Sequence, residues 1–426
     1  MNKSNKYLFP FILVTSLFFF WGFLNNLNPI LIPHLKKAFS LSALQASLID
    51  SAVYVGYFAM ALPAGVIMRR YGYKAGIITG LLLFATGAFL FIPAANTQLY
   101  PFFLGALFIV ACGLAILETA ANPYASLLGS PEKATQRLNF AQSFNGLAAT
   151  MAPVIGARVI LTKGLSDEQL SGMTEAARKA ALAAEAHTVK LPYFILGCVL
   201  VVVALFFAFT RLPSINKHEK SESKSVFHAL RHRHLSWAVA AQFFYVGAQT
   251  CILSFFSLYA MTAVGFDREK TGDYQGWGCG FAFMIGRFAG TFLMKYIRPA
   301  RLLSIYAVID VLLCLVIIFG HGMATIYALI GIAFFMSIMF PTIFALGIKD
   351  LGSDTEFGSS LLIMSIVGGA LLPPVFGYIT DVTKNIQLAY LVPLICFAII
   401  LYYGLKGHRI ISKANVIKNE AILPGV

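Results

Sequence analysis

Charge is scarce in this chain. Asp, Glu, Lys and Arg make up 12% of its 426 residues, where a soluble domain carries about 25%. Apolar types make up 58% and the mean hydropathy is +0.77, so most of the surface must face lipid. That excludes a string of soluble domains, a secreted disulfide scaffold and a disordered chain. Clustered cysteine is missing too. Each of the six Cys lies alone in an apolar run, with no CxxC and no His at ligand spacing, so they read as small buried hydrophobes. No HExxH, GxSxG or DxD-like metal cluster occurs and no water-soluble catalytic domain is left over, which argues against an enzyme. A cleaved leader is not expected: the first apolar run is too long, lacks a small-residue cleavage site and continues into polar Asn25–Asn28. The net charge of +14 sits at the ends of apolar runs, which favours membrane orientation over nucleic acid.

What is present is a series of apolar runs. A hydrocarbon layer of about 30 Å needs about 20 such residues per helix. Twelve runs qualify: 9–33, 47–68, 75–95, 99–128, 138–162 and 189–210, then 235–260, 271–296, 302–320, 323–348, 357–380 and 388–405. The fold class is therefore an all-α membrane protein with twelve transmembrane helices. Placing the N-terminus inside puts Arg69, Arg70, Lys74, Lys133, Arg137, Lys295, Arg298, Arg301 and the basic stretch 211–234 on the cytoplasmic side. The basic residues then favour the inside by roughly two to one, which sets both termini inside; Lys36 and Lys37 run against the rule. The longest polar inside stretch divides the chain into a bundle at 1–210, a cytoplasmic linker at 211–234 and a second bundle at 235–426. Two six-helix lobes around a central cavity are the plan of a secondary transporter. The Ala-rich stretch 166–187 is expected to form a short outer surface helix. Arg-rich turns recur after the second and eighth runs, GVIMRRYGYK at 65–74 and GRFAGTFLMKYIRPAR at 286–301. Arg69, Arg70 and Arg287 are gating candidates there, with Arg287 deeper in its run.

Unpaired polar groups are costly in hydrocarbon, so those within spans must face a wet, protein-lined interior. The first run carries Asn25, Asn26 and Asn28 before Pro29, a residue that loosens the helix. The fourth carries Glu118 and Asn122, one turn apart on one face. The fifth carries Asn139, Gln142 and Asn145, and the seventh Gln242, Tyr245 and Gln249, each set forming a polar stripe. These amides either join helices or bind a sugar, whose hydroxyls both donate and accept. Glu118 can take up and release a proton, accept from a sugar hydroxyl or hold a cation. Trp277, set among glycines in QGWGCG, has room to stack on a pyranose face or simply packs. Asp50 opens the second run on the outer side, either as a cation ligand or as a solvated helix-start acid. Asp310 lies inside the ninth run without an obvious role, and Tyr54 and Tyr57 can either pack or bind.

Several stretches resemble one family. NNLNPILIPHL (25–35), QASLIDSAVYVGYFAMALPAGVIMRRYGYKAGIITGL (45–81), GLAILETAANPYASLLG (113–129), RLNFAQSFNGL (137–147), WAVAAQFFYVGAQT (237–250), FMIGRFAGTFL (283–293), FPTIFALGIKDLG (340–352) and GSSLLIMSIVGGALLPPVFGYITD (358–381) are similar to the fucose–galactose–glucose symporters of the major facilitator superfamily. The resemblance runs from the first helix to the eleventh. It implies two six-helix bundles with alternating access, a monosaccharide cargo (L-fucose, or glucose or galactose) and a multi-pass protein of the bacterial cytoplasmic membrane working as a monomer. It implies no cofactor beyond the coupling ion, H+ or Na+. It assigns Glu118 of ETAANP to sugar recognition and protonation, Gln142 and Asn145 of NFAQSFN to sugar, and Asn25 and its neighbours likewise. The chain departs from the family at Pro29, where an Asp that serves proton coupling is usual, and at Met68, where an Asp is common. Coupling then falls to Glu118 alone, to Asp50 or to Na+, or is lost. A drug efflux carrier fits less well, because its pocket would be more aromatic and poorer in amides.

Overall fold

The computed structural model describes residues 5–25, 43–97, 99–160, 172–175, 177, 190–210, 212–213 and 226–410. Among them there is helix but no strand, as expected where every backbone polar group must be satisfied within its own segment. The first half contains α1 (Asn5–Asn25), α2 (Ala43–Thr97), α3 (Tyr100–Leu127), α4 (Ala134–Ile160) and α5 (Lys190–Phe209). The second contains α6 (Arg233–Ala263), α7 (Phe281–Leu293), α8 (Pro299–Phe319), α9 (Met323–Met336), α10 (Met339–Gly347), α11 (Thr355–Met364), α12 (Gly368–Thr383) and α13 (Leu391–Tyr402).

These elements account for twelve crossings. α2 is two spans joined at Gly72, whose φ of 84° and ψ of 168° break the helix. That positive φ suits glycine because no Cβ opposes it. α9 and α10 form one span across a short break at Ser337–Ile338, and α11 and α12 form another across the 3₁₀ turn Ser365–Val367. α7 continues a wide π stretch, Tyr274–Gly280. Among the described residues eight helices are long and apolar enough to cross a membrane, the bent α2 counted once. α1, α4 and the α7 segment fall outside that test, and each carries polar or glycine-rich positions that an interior helix needs.

Helices of the first half pack mainly on one another: α1 on α4, α2 on α3, and α5 on α2. In the second half α6 packs on α10, α12 and α13, and α8 on α9 and α13. The halves meet chiefly where α4 packs on α7 and α10, and where α11 packs on α2 and α3. α3 and α4 therefore stand at the junction, and α3 is buried almost continuously from Val110 to Ser126. The expected surface helix at 166–187 and most of the 211–234 linker lie outside the described residues.

Candidate functional site

The junction is where the buried polar side chains collect. On α3, Glu118 is 3% exposed and Asn122 fully buried; on α4, Asn139 and Gln142 are buried. Gln142 Nε2 donates to Asn122 Oδ1 at 2.9 Å, and Asn139 Nδ2 donates across the junction to Thr342 Oγ1 of α10 at 3.1 Å. α1 approaches through Gly22, where a Cβ would lie 2.8 Å from the backbone and amide of Asn145. The small residue brings α1 onto the α4 stripe, and Asn145 is half-buried there.

Arg287 of α7 ties the two halves together. Its Nε donates to the Ser337 carbonyl of its own half at 3.0 Å, and its Nη1 to the Gln142 carbonyl of the other half at 2.5 Å. Nη1 also reaches Gln142 Oε1 at 3.3 Å, and the guanidinium lies 4.6 Å from the Phe283 ring centroid. A planar cation with several fixed donors suits such a bridge better than a lysine would. Arg287 and Glu118 feel each other as opposite charges without forming a direct ion pair. Tyr245 of α6 is fully buried and within electrostatic reach of Arg287, although no hydrogen bond of good geometry satisfies its hydroxyl. On the opposite flank Tyr57 of α2 faces both Glu118 and Trp21 of α1.

Most of these groups have spare capacity. Glu118 Oε2, Asn122 Nδ2, Asn139 Oδ1, both amide atoms of Gln242, Tyr245 OH and Trp21 Nε1 are buried without a hydrogen-bond partner. Native interiors satisfy nine in ten or more of such groups. Buried donors and acceptors left unsatisfied in this way are what a polyhydroxylated ligand would complete.

The other candidate residues are placed differently. Gln249 is half-buried. Trp277 lies in the π stretch and is 66% exposed, and no described contact brings it to Glu118. Asn25 ends α1 and Asp50 lies in α2, but their side chains, like all of Asn26, Asn28 and Pro29, lie outside the described residues. Sequence reasoning passed over Trp21 and Thr342. Trp21 precedes Asn25 by four residues and so shares its helix face; Thr342 carries no comparable signal.

At the Arg-rich end, α2 meets α11. A Cβ on Gly65 would stand 2.3 Å from Ser360 Oγ, Arg69 lies over the Phe357 ring at 5.1 Å, and Glu356 faces Tyr73. The exposed Arg70 covers its neighbour Tyr71 at 5.3 Å. Lys74 Nζ caps the end of α5, donating to the carbonyls of Ala208 at 2.7 Å and Thr210 at 3.1 Å, in keeping with a cation at a helix C-terminus.

The model of the Major Facilitator Superfamily matches residues 13–355. The chain belongs to the Major Facilitator Superfamily. It is 43% identical over 412 residues to the L-fucose-proton symporter of Escherichia coli (strain K12), covering 95% of this chain and 94% of that protein. It is 40% identical over 411 residues to the glucose/galactose transporter of Brucella abortus biovar 1, covering 96% of each. The crystal structure of the transporter FucP in the outward conformation superposes with a TM-score of 0.88 at 43% identity, covering 94% of this chain and 98% of that one. The proton:xylose symporter XylE, at 10% identity and a TM-score of 0.73, shares the fold alone. The chain is thus a multi-pass membrane protein of the major facilitator fold, as its twelve apolar runs imply.

Proposed function

We propose that this chain is a monosaccharide–cation symporter, importing L-fucose, glucose or galactose with H+ by alternating access. The observation that carries the reading is the unsatisfied Glu118 carboxyl oxygen, set among Asn122, Gln142, Tyr245 and Arg287 at the junction of the two halves. The relatives supply the cargo class, since two that cover nearly the whole chain are named for fucose–proton symport and for glucose/galactose transport.

In this reading residues 1–210 and 235–426 are two bundles that rock about the site. Asn122, Gln142, Asn145, Gln242, Tyr245 and Gln249 bind hydroxyls, with Asn25, Asn26 and Asn28 contributing from α1 and Trp277 stacking from the outer side. Glu118 alternates between two states. Protonated, it is a neutral donor and acceptor for a sugar hydroxyl. Ionised, it is drawn to Arg287, which competes with the sugar for Gln142 and Asn122. Sugar and proton then favour the same state of the carrier, the condition for coupling. Pro29 replaces the Asp usual in the family, so Glu118 carries the proton, and Asp50 takes no essential part. Arg69 and Arg70 with Arg287 gate the cytoplasmic end. The orientation places both termini in the cytoplasm of a bacterial cell, in its inner membrane, and the carrier works as a monomer without nucleic acid or cofactor.

Uptake of labelled sugar into proteoliposomes under imposed gradients tests this. For one proton per sugar, one pH unit, acid outside, sustains about tenfold accumulation. A Na+ gradient alone gives none. Glu118→Gln retains exchange and loses accumulation. Accumulation driven by Na+ makes sodium the coupling ion, and counterflow indifferent to both gradients leaves a uniporter. Wild-type accumulation in Glu118→Gln refutes the role of that acid.

A further inference from the structure

Where the linker enters the second half, the structure leaves an open cavity of about 450 Å³ that the transport scheme does not use. It is lined by Leu230 and Arg231, which precede α6, and by Arg233, Ser236, Trp237 and Ala240 of the first turns of α6. The rim is held in shape. Ser236 Oγ donates to the Leu230 carbonyl at 2.6 Å. Residues 226–229 pack on α11, and His228 and His232 are hydrogen-bonded to Asp354 at 3.0 and 3.1 Å, so the turn that carries Arg231 is fixed. Trp237 packs on Tyr402 of α13 with ring centroids 4.7 Å apart. Gly407 makes room for it, since a Cβ there would stand 3.2 Å from Trp237 Cβ.

Charge and apolar surface are sorted along this cavity. Arg231 and Arg233 are exposed, and among the described residues no carboxylate pairs with either. Lys406 and Arg409 stand either side of Gly407 and are exposed as well. Of the acids nearby, Asp354 is taken up by the two histidines, and the exposed Asp350 stands next to Lys349. Ala240 lies about 10 Å further along the helix than Arg233, at 1.5 Å per residue, within the apolar span.

We propose that this cavity binds the headgroup of an anionic phospholipid. The proposal rests on the membrane fold and not on the cargo or the coupling ion. Guanidinium forks match a phosphodiester, basic pockets at the ends of spans hold such headgroups, and indole rings settle at headgroup level in a bilayer. Arg231 and Arg233 take the phosphate. The Ser236 hydrogen is already given to Leu230, so its oxygen accepts from a headgroup hydroxyl. The acyl chain runs past Trp237 and Ala240 into the hydrocarbon. A free phosphate ion would use the arginines alone and leave the aromatic wall and apolar floor without a role. Lipid bound here ties the last turn of the linker to one leaflet.

Titration of the purified carrier with phosphatidylglycerol, phosphatidylcholine and inorganic phosphate, read by native mass spectrometry, tests the proposal. Phosphatidylglycerol binds saturably and about tenfold tighter than phosphatidylcholine, the effect of one charge-assisted hydrogen bond. Arg231→Gln/Arg233→Gln abolishes that preference. Arg298→Gln/Arg301→Gln, which removes the same charge from exposed arginines outside the cavity, retains it. Equal loss in both double variants makes the attraction one of general surface charge and overturns the proposal, as does displacement of the lipid by inorganic phosphate at equal concentration. A second measurement leaves every arginine in place. Phosphatidylglycerol brominated high on its acyl chains quenches tryptophan fluorescence more than brominated phosphatidylcholine does, and Trp237→Phe loses the excess. An excess undiminished in Trp237→Phe overturns the proposal. Neither measurement contains sugar or an ion gradient, so their failure leaves the symport reading standing.

Discussion

Replacing Arg287 by lysine keeps the charge and removes the fork. The guanidinium serves two carbonyls at once, Ser337 in its own half at 3.0 Å and Gln142 in the other at 2.5 Å, whereas a lysine ammonium is a single point of donation on a flexible stem. One of the two bonds is lost, and the bond across the junction is the more exposed to loss because its partner belongs to the other half. A hydrogen bond to a charged group contributes about 1.5–3 kcal/mol. At about 1.4 kcal/mol per tenfold, its removal shifts the balance between the two arrangements of the halves by roughly 10- to 150-fold toward the one in which α4 and α7 separate. Nitroxide labels at Leu127, which ends α3 and is exposed, and at Tyr296, exposed beyond α7, report this as a distance distribution by pulsed electron resonance. Wild type gives one dominant short distance, and Arg287→Lys adds a longer population. An unchanged distribution in a variant that melts at the wild-type temperature would refute the idea that Arg287 holds the halves together.

Other perturbations have equally definite outcomes. Gly72→Ala places a Cβ where φ is 84°, ψ is 168° and nothing lies within 4 Å, so only backbone strain is added, about 1–3 kcal/mol. Gly72→Asn is no milder, because the left-handed region that Asn tolerates has ψ near +45°, far from the 168° found here; a wild-type melting temperature in either variant would contradict the strain argument. Asp354 accepts from His228 at 3.0 Å and His232 at 3.1 Å through one oxygen, pinning residues 226–232 to the start of α11. Asp354→Ala frees that segment, and amide hydrogen exchange at 226–232 rises several-fold while that of α6 is unchanged.

The membrane fold was legible because hydrocarbon permits few structures. Run length, the basic residues at run ends and the polar break near 211–234 led directly to twelve spans. The polar stripes were legible as faces. Glu118 and Asn122 share one, and Gln142 lies on the α4 face that meets them. What periodicity does not carry is which face meets which across the bilayer. That register depends on where small residues let helices approach, as at Gly22 against Asn145 and Gly65 against Ser360. For that reason Arg287 read as the deeper, gating or bridging cation of an Arg-rich turn, but its partner, a main-chain carbonyl of the other half, could not be named. Asp310 was visible as an oddity, and the structure seals it in α8 without a hydrogen-bond partner, which a helical wheel does not show. The breaks within the tenth and eleventh spans were also hidden, since their sequences are apolar on both sides.

The account depends most on one placement: a sugar held at the junction by Glu118 and the amides beside it. The direct measurement is an experimental structure of the protein saturated with L-fucose, D-galactose or D-glucose. The account predicts sugar density within hydrogen-bond reach of Glu118, Asn122 and Gln142, with the orphaned Tyr245 and Gln242 groups now partnered. Sugar bound elsewhere, with those buried atoms still unpaired, would contradict it.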